Sequence, residues 1–258
     1  MSNLKDKIER LADLIIDAED IVALTGAGMS TESGIPDFRS PDTGLWTKVD
    51  PGEVASIQSY VSNPEKNVDF LLELGMTIFK AKPNQGHKAL ARLQELGKLD
   101  GVMTQNIDGL HQRAGTENVI ELHGTANEAK CMRCNEIYPI TKFVNQIVHG
   151  DNQPTCGKCG GLLKPNTIFF GEALESDVLT EADQMIGMCD LLLVLGSSLL
   201  VYPVAFYPQR VVSTGAKLAI INLQTTNMDS QAEVVIHKKI GKILPKIVDN
   251  VAEKMENQ

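Results

Sequence analysis

The sequence predicts an α/β protein: a doubly wound, parallel-sheet, Rossmann-like domain carrying a smaller module. Three observations carry that expectation. Short apolar strands alternate with amphipathic helices along most of the chain, the pattern of strands joined by crossover helices. Leu191 to Leu195 is apolar throughout and ends in Gly196, as expected of a strand buried on both faces. Two Cys-x-x-Cys pairs then interrupt the alternation and read as a metal-knuckle module. With 258 residues, 43% hydrophobic and 22% charged, the chain has the length and composition to bury a substantial core.

In chain order, residues 4–18 place Leu4, Ile8, Leu11, Leu14, Ile15 and Ala18 at helical spacing with charges between them. Ile21 to Leu24 is a strand that runs into a turn bearing Gly26 and Gly28. Such a turn lets backbone N–H groups approach a diphosphate, and a following helix directs its positive end at the anion. Alone this signal is weak, because Gly-x-Gly turns are common as plain structure. Residues 84–97 form a second helix ending at Gly97, followed by strands at Gly101 to Thr104 and Val119 to Leu122. After Leu191 to Leu195, a helical stretch near Pro203 to Val212 leads to a strand at Lys217 to Asn222. Val234 to Ile236 and a closing helix from about Ile240 to Lys254 complete the series.

Two stretches break the alternation. The expected division is therefore a large domain from residues 1–40, 84–125 and 165–258. A helical insert, 41–83, and a zinc-binding insert, 126–164, form the small domain. Polar or small residues end the strands at Thr25 to Thr31, Thr104 to Asp108, His123-Gly124, Gly196 to Ser198 and Asn222. In doubly wound sheets the carboxyl ends of strands face the ligand crevice, so together these ends predict a cleft.

Lys plus Arg total 24 against 33 for Asp plus Glu, a formal charge of −9. That balance argues against a nucleic-acid partner, which requires a basic face. No basic segment followed by an apolar stretch opens the chain, and no run approaches the ~20 apolar residues of a membrane span. The expectation is a cytoplasmic protein without a membrane partner, monomeric by default.

Cysteines in such a compartment are poor candidates for a disulfide framework. Cys131, Cys134, Cys156 and Cys159 instead form two knuckles that aim thiolates at one point, the arrangement of a structural zinc ion. The stretch between Cys134 and Cys156 slightly exceeds the roughly 15–20 residues of the usual template. With four thiolates the shell is closed, so the metal holds the fold and performs no chemistry. Cys189, beside Leu191 to Leu195, reads as a buried core thiol.

Taken in order, the motifs resemble those of the sirtuin family, the NAD-dependent protein-lysine deacylases. Gly26-Ala27-Gly28-Met29-Ser30 through Gly34-Ile35-Pro36-Asp37-Phe38-Arg39 resembles the first family motif. Thr104-Gln105-Asn106-Ile107-Asp108-Gly109-Leu110-His111 resembles the second, and His123-Gly124 the third. The cysteine pairs, Phe170-Gly171-Glu172, Gly196-Ser197-Ser198-Leu199 with Val201-Tyr202-Pro203, and Ile221-Asn222 follow in order, so the resemblance spans about residues 4 to 250. Met29 and Ser197 are small departures, at positions where a smaller aliphatic residue and Thr are common.

The resemblance implies NAD as co-substrate, held between the large domain and the zinc module, with one structural zinc ion. The acetyl-lysine oxygen attacks the nicotinamide ribose, nicotinamide leaves, and deacetylated lysine and 2′-O-acetyl-ADP-ribose result. It assigns His123 as the general base on a ribose hydroxyl, a task suited to an unperturbed pKa of ~6.5. Asn106 holds the ribose, Asp108 the carboxamide, and Phe38 covers the ribose face against water. Arg39, Thr31, Ser198 and Asn222 contact phosphates and the adenosine ribose, and the backbone at Ile236 contacts adenine. Gly26, Ala27, Gly28, Gln105, Ile107, Gly196 and Ser197 complete the NAD set. The acetylated lysine peptide is expected as an added strand between Phe170-Gly171-Glu172 and Leu200-Val201-Tyr202, with Ile168, Phe170 and Val201 lining the acyl-lysine tunnel. Family members that remove succinyl or malonyl groups carry a Tyr and an Arg in the helical insert; Pro64 to Lys80 contains neither. An uncharged acyl group follows.

Other readings compete. An NAD-linked dehydrogenase would require an acidic residue ending a second strand about 20 residues after the glycine turn, and none is there. A zinc-ribbon binding protein without catalysis leaves the cleft residues unexplained. A mono-ADP-ribosyltransferase, or a deacylase for other uncharged chains, is a close variant of the deacetylase.

Overall fold

The structure is a computed structural model that describes residues 3–38, 40 and 44–257. Asn3 starts the first helix, α1 (Leu4–Asp17), by accepting from the Asp6 N–H while Asp6 accepts from the Asn3 N–H. This reciprocal cap satisfies amides that an open helix end leaves without partners. The chain continues through β1 (Ile21–Thr25), α2 (Pro51–Val54), α3 (Ile57–Ser62), α4 (Pro64–Lys80), α5 (Gln85–Glu95) and β2 (Gly101–Thr104). Next come α6 (Leu110–Arg113), β3 (Val119–Glu121), β4 (Gly124–Cys131), β5 (Ile137–Pro139), α7 (Ile140–Val148) and β6 (Leu163–Thr167). The last elements are α8 (Ser176–Met188), β7 (Leu191–Leu195), α9 (Tyr207–Ser213), β8 (Lys217–Ile221), β9 (Val234–Ile236) and α10 (Ile240–Glu256).

Six strands make one parallel sheet in the order β3-β2-β1-β7-β8-β9. The order runs outward in both directions from β1 and β7, so the topological switch, and the crevice above it, lies between those two strands. Every residue of β1 and β7 is buried. Ile21, Ala23, Leu191, Leu193 and Leu195 face α1, α5 and α10, while Val22, Leu24, Leu192 and Val194 face α8 and α9. Each of these Val, Leu and Ile side chains fully removed from water contributes about 1.5–3 kcal/mol, which is why this apolar run belongs to the sheet centre.

The second sheet is antiparallel, order β5-β4-β6. Its core joins Tyr60 of α3, Val68 of α4, Phe143 and Ile147 of α7, and Leu163 to Cys131 and Cys156. The small sheet overruns the 126–164 limits expected from sequence, taking in Gly124 and Thr167 at its edge.

Three further differences matter. No α-helix starts at the turn directly after β1; two three-residue 3₁₀ turns, Ala27–Met29 and Thr31–Ser33, stand there. The helix expected near 203–212 divides into a 3₁₀ turn, Val204–Phe206, and α9. α8 went unread because only Ala182 and Ile186 of its 13 residues are buried, leaving almost no periodic apolar face. Among the described residues no helix is long and apolar enough to cross a membrane.

Candidate functional site

At the switch point the turns after β1 and β7 interlock. A Cβ on Gly26 would lie 2.8 Å from the Gly196 carbonyl oxygen, and one on Gly28 2.8 Å from the Gly196 Cα. Gly196 itself has φ +67°, and a Cβ there would lie 2.4 Å from the Met29 nitrogen. These glycines therefore permit close packing of two loops. The helix-dipole cradle expected from the sequence is absent. The N–H groups of Gly26, Gly28, Met29 and Ser30 donate to Leu195, Gly196, Gly26 and Ala27 carbonyls, and 3₁₀ turns of three residues carry little dipole.

A cleft of about 410 Å³ opens over this junction. Its floor is a buried hydrogen-bond network. Asn106 Nδ2 donates to the Gly26 carbonyl at 3.0 Å and to Ser30 Oγ at 3.1 Å, and Ser30 Oγ donates to Asp108 Oδ2 at 2.6 Å. The Leu110 N–H donates to Asp108 Oδ1 at 2.9 Å. Burial pushes the Asp108 pKa up, against the opposing pull of the Ser30 and Leu110 bonds and of Arg113.

Behind the floor two histidines pack with ring centroids 4.9 Å apart. The Asn84 N–H donates to His87 Nδ1 at 3.3 Å, so the ring proton sits on Nε2, 3.5 Å from Ser30 Oγ. His111 Nε2 lies 3.0 Å from Thr25 Oγ1, whose own proton goes to Thr104 Oγ1 at 2.8 Å. Desolvation lowers His87 to about 4; desolvation and the neighbouring His87 lower His111 to about 3. Both rings are neutral spacers that fix Ser30 and Thr25. The sequence places Ser30 in a motif without a role and gives no sign of His87, because a lone histidine in an amphipathic helix does not show what it faces.

His123 is half-buried at the cleft wall. Its Nδ1 donates to the Gln105 carbonyl at 3.0 Å, which places the lone pair of the neutral ring on Nε2. Its own carbonyl accepts from the Ile168 N–H at 2.9 Å. Gly124 follows with φ +75°, pressed against the Asn166 carbonyl, where a Cβ would lie 2.1 Å away. Ile168, Phe170, Gly171 and Val201 all line the cleft. Phe170 main-chain groups are already paired, its N–H to Ala55 at 2.9 Å and its carbonyl from Ile57 at 3.0 Å. An added strand must therefore pair through Gly171, which stands at φ +88° in a turn closed by the Glu172 N–H donating to the Phe169 carbonyl at 3.0 Å.

Phe38 stacks on Trp46 at 5.0 Å, and Trp46 meets Phe170 edge-on at 5.8 Å. With Phe70, Leu71, Leu74 and Ile78 these rings make the apolar end of the cleft. At the other end stand Thr31, Gln105, whose Nε2 donates to Ser197 Oγ at 2.8 Å, Ser198 and Asn222, with Lys238 and Lys239. Ala27 and Ile107 line it as well. Ile236 does not reach the cleft: its side chain is in the sheet core and its carbonyl accepts from the Asn222 N–H at 3.2 Å. Arg39 lies outside the described residues.

Away from the cleft, Cys131, Cys134, Cys156 and Cys159 gather with every sulfur within 4.8 Å of the others. The 131–159, 134–156 and 134–159 separations are 3.5, 3.8 and 3.4 Å, and none is a disulfide. Sulfurs at the vertices of a zinc tetrahedron with 2.3 Å bonds lie about 3.8 Å apart, so this donor set fits that ion. The Tyr138 hydroxyl, 3.1 Å from Cys156 Sγ, favours the thiolate and pulls that thiol down to about 6. Cys189 is buried as expected, its thiol pushed up to about 11.

The Sir2 family model matches residues 26–203. An NAD-dependent protein deacetylase of Caldivirga maquilingensis is 43% identical over 94% of this chain and 93% of its own. An NAD-dependent protein deacylase 2 of Archaeoglobus fulgidus is 43% identical over 96% and 97%. Among solved structures, a Sir2 with a p53 peptide and NAD+ superposes with TM-score 0.85 at 38% identity, covering 97% of this chain and 99% of that one. A Sir2 variant with a deacetylated p53 peptide and an acetyl ADP-ribose gives TM-score 0.88 at 40% identity, covering 94% and 97%.

Proposed function

The chain belongs to the Sir2 family, and on that premise we propose that it is an NAD-dependent protein-lysine deacetylase. The reaction consumes NAD, acetyl-lysine and water, and releases deacetylated lysine, nicotinamide and 2′-O-acetyl-ADP-ribose. One observation carries the assignment of roles. His123, whose Nδ1 donates to the Gln105 carbonyl and so leaves Nε2 as the proton-accepting nitrogen of the neutral ring, lines the same cleft as Asn106 and Asp108.

His123 takes the ribose hydroxyl proton on Nε2 while the Gln105 carbonyl keeps the ring oriented. Asn106 presents its amide to the ribose, and Asp108 its carboxyl to the carboxamide, both held by Ser30. Phe38, stacked on Trp46, excludes water from the reacting carbon. Thr31, Ser198 and Asn222 hold the diphosphate and adenosine ribose, with Gly26, Gly28 and Gly196 keeping the loops beneath them closed. The peptide pairs with Gly171 and with the Val201 segment, and Ile168, Phe170 and Val201 enclose the lysine stem. An apolar wall of this kind penalises a charged acyl group and suits acetyl or another uncharged chain. Zinc on the four cysteines supplies a cross-link and no chemistry.

Residues 41–83 and 126–164 form the small domain of this reading, supported by the core that Tyr60 and Val68 share with Cys131 and Cys156. A cytoplasmic, monomeric enzyme fits thiols kept for a metal.

The test incubates purified protein with NAD and an acetyl-lysine peptide and follows all three products. Equal yields of nicotinamide, acetyl-ADP-ribose and free lysine are expected. Nicotinamide without deacetylation would replace the deacetylase by an ADP-ribosyltransferase or hydrolase, and no NAD turnover would end the enzyme reading.

A further inference from the structure

The segment from Thr167 to Glu172 borders both the candidate base and the peptide edge, and its shape depends on one buried cation. Lys164 of β6 is only 6% exposed. Its Nζ donates to the Thr167 carbonyl at 2.6 Å and pairs with Glu172 Oε2 at 3.0 Å. The same Glu172 oxygen accepts from the Phe169 N–H at 2.8 Å, and the ammonium stands 4.7 Å from the centre of the Phe169 ring. Phe169 in turn packs edge-on against Tyr60 at 5.5 Å. Burial lowers the Lys164 pKa, and the Glu172 carboxylate beside it opposes that shift.

The placement of this pair is informative. It spans the two ends of a turn whose middle residues, Ile168, Phe170 and Gly171, line the cleft, and whose Ile168 N–H holds the His123 carbonyl. A buried ion pair is a poor source of net stability, since desolvating both ions offsets most of their attraction. It is a good source of directional fixation, because removing one member leaves the other buried without compensation. We propose that Lys164 and Glu172 are positioning residues for substrate: their ion pair locks the 167–172 turn so that Gly171 presents its main chain to the acyl-lysine peptide. Neither side chain acts on the reacting atoms. This inference rests on the deacetylase reading for the identity of the peptide.

The experiment is a double-mutant cycle with Lys164→Met, Glu172→Gln and the pair together. Each variant is first matched to wild type in zinc content and circular dichroism. Each single substitution is expected to raise the peptide KM about tenfold with kcat little changed, and the double variant to do no worse than either single one. NAD affinity, read by titration calorimetry, stays within about twofold of wild type, because the Lys164–Glu172 pair bonds to Thr167 and Phe169 and not to Thr31, Ser198 or Asn222. A folded variant with wild-type peptide KM, additive effects in the double variant, or a parallel loss of NAD affinity would overturn the proposal. Should Lys164→Met fail to fold, Glu172→Gln decides, since that side chain is partly solvated. Should wild type lack deacetylase activity, the enzyme reading fails on its own. The same cycle is then read by anisotropy of a fluorescent acetyl-lysine peptide, and equal affinities across the variants overturn the positioning role.

Discussion

In the large sheet, β1 and β7 are buried along their whole length between two apolar clusters. In the small module, β5 leaves Ile137 and Pro139 exposed, and one modest cluster surrounds Cys131 and Cys156. The large sheet has enough apolar surface to hold itself together, whereas a core this small falls in the size range where metals or disulfides substitute for burial. The cleft sits where the two meet, so His123 and the 167–172 turn depend on both regions at once.

The largest expected effect is the loss of metal. Structural zinc contributes on the order of 10 kcal/mol or more in small zinc domains, so chelation or Cys131→Ala should unfold the small module. Hydrogen exchange would show protection lost in β4, β6 and α7 and retained in β1 and β7. Deacetylation should vanish with it. Unchanged protection in β4 after verified zinc loss would erase the contrast between the regions.

His123→Ala comes next and should separate chemistry from architecture. Removing a general base costs about 10²–10⁴-fold in rate, while exchange protection in both regions and the melting temperature stay near wild type. An active variant would remove His123 as the base.

Acid is the subtlest probe, and it acts on the large region. His87 and His111 have folded pKa values of about 4 and 3, below an unfolded value near 6.5, so the unfolded chain binds the extra protons as pH falls. Stability is therefore full above pH 6.5 and declines below it, by about 2 kcal/mol per histidine between pH 7 and pH 5. Asp108 has the opposite sign: its raised folded pKa favours the protonated fold and partly offsets the loss. The urea midpoint of wild type should therefore be lower at pH 5 than at pH 7, and His111→Gln should shrink that difference. Equal midpoints in wild type would mean these rings are not the desolvated spacers described above.

Much of the fold was legible. Leu191 to Leu195 declared a central strand because burial on both faces removes any need for a polar residue. The cysteine pairs declared their own cluster because metal ligation constrains spacing directly. What stayed hidden was α8, whose face is mostly solvated, and the reason for the glycines, since Gly26 and Gly28 answer to Gly196, remote in sequence. Of the cleft residues expected from sequence, Asn106, Asp108, His123 and Phe170 do converge, while Ile236 turns into the core.

The sequence by itself determined the strand alternation, the cysteine tetrad and the motif residues, because each is written in local period or spacing. Only the tertiary structure decided which ring nitrogen of His123 carries the proton and that His87 reaches Ser30. It also decided that Lys164 finds Glu172 across the substrate turn. Those facts depend on burial and on partners brought together by the sheet order, and neither leaves a mark on local sequence.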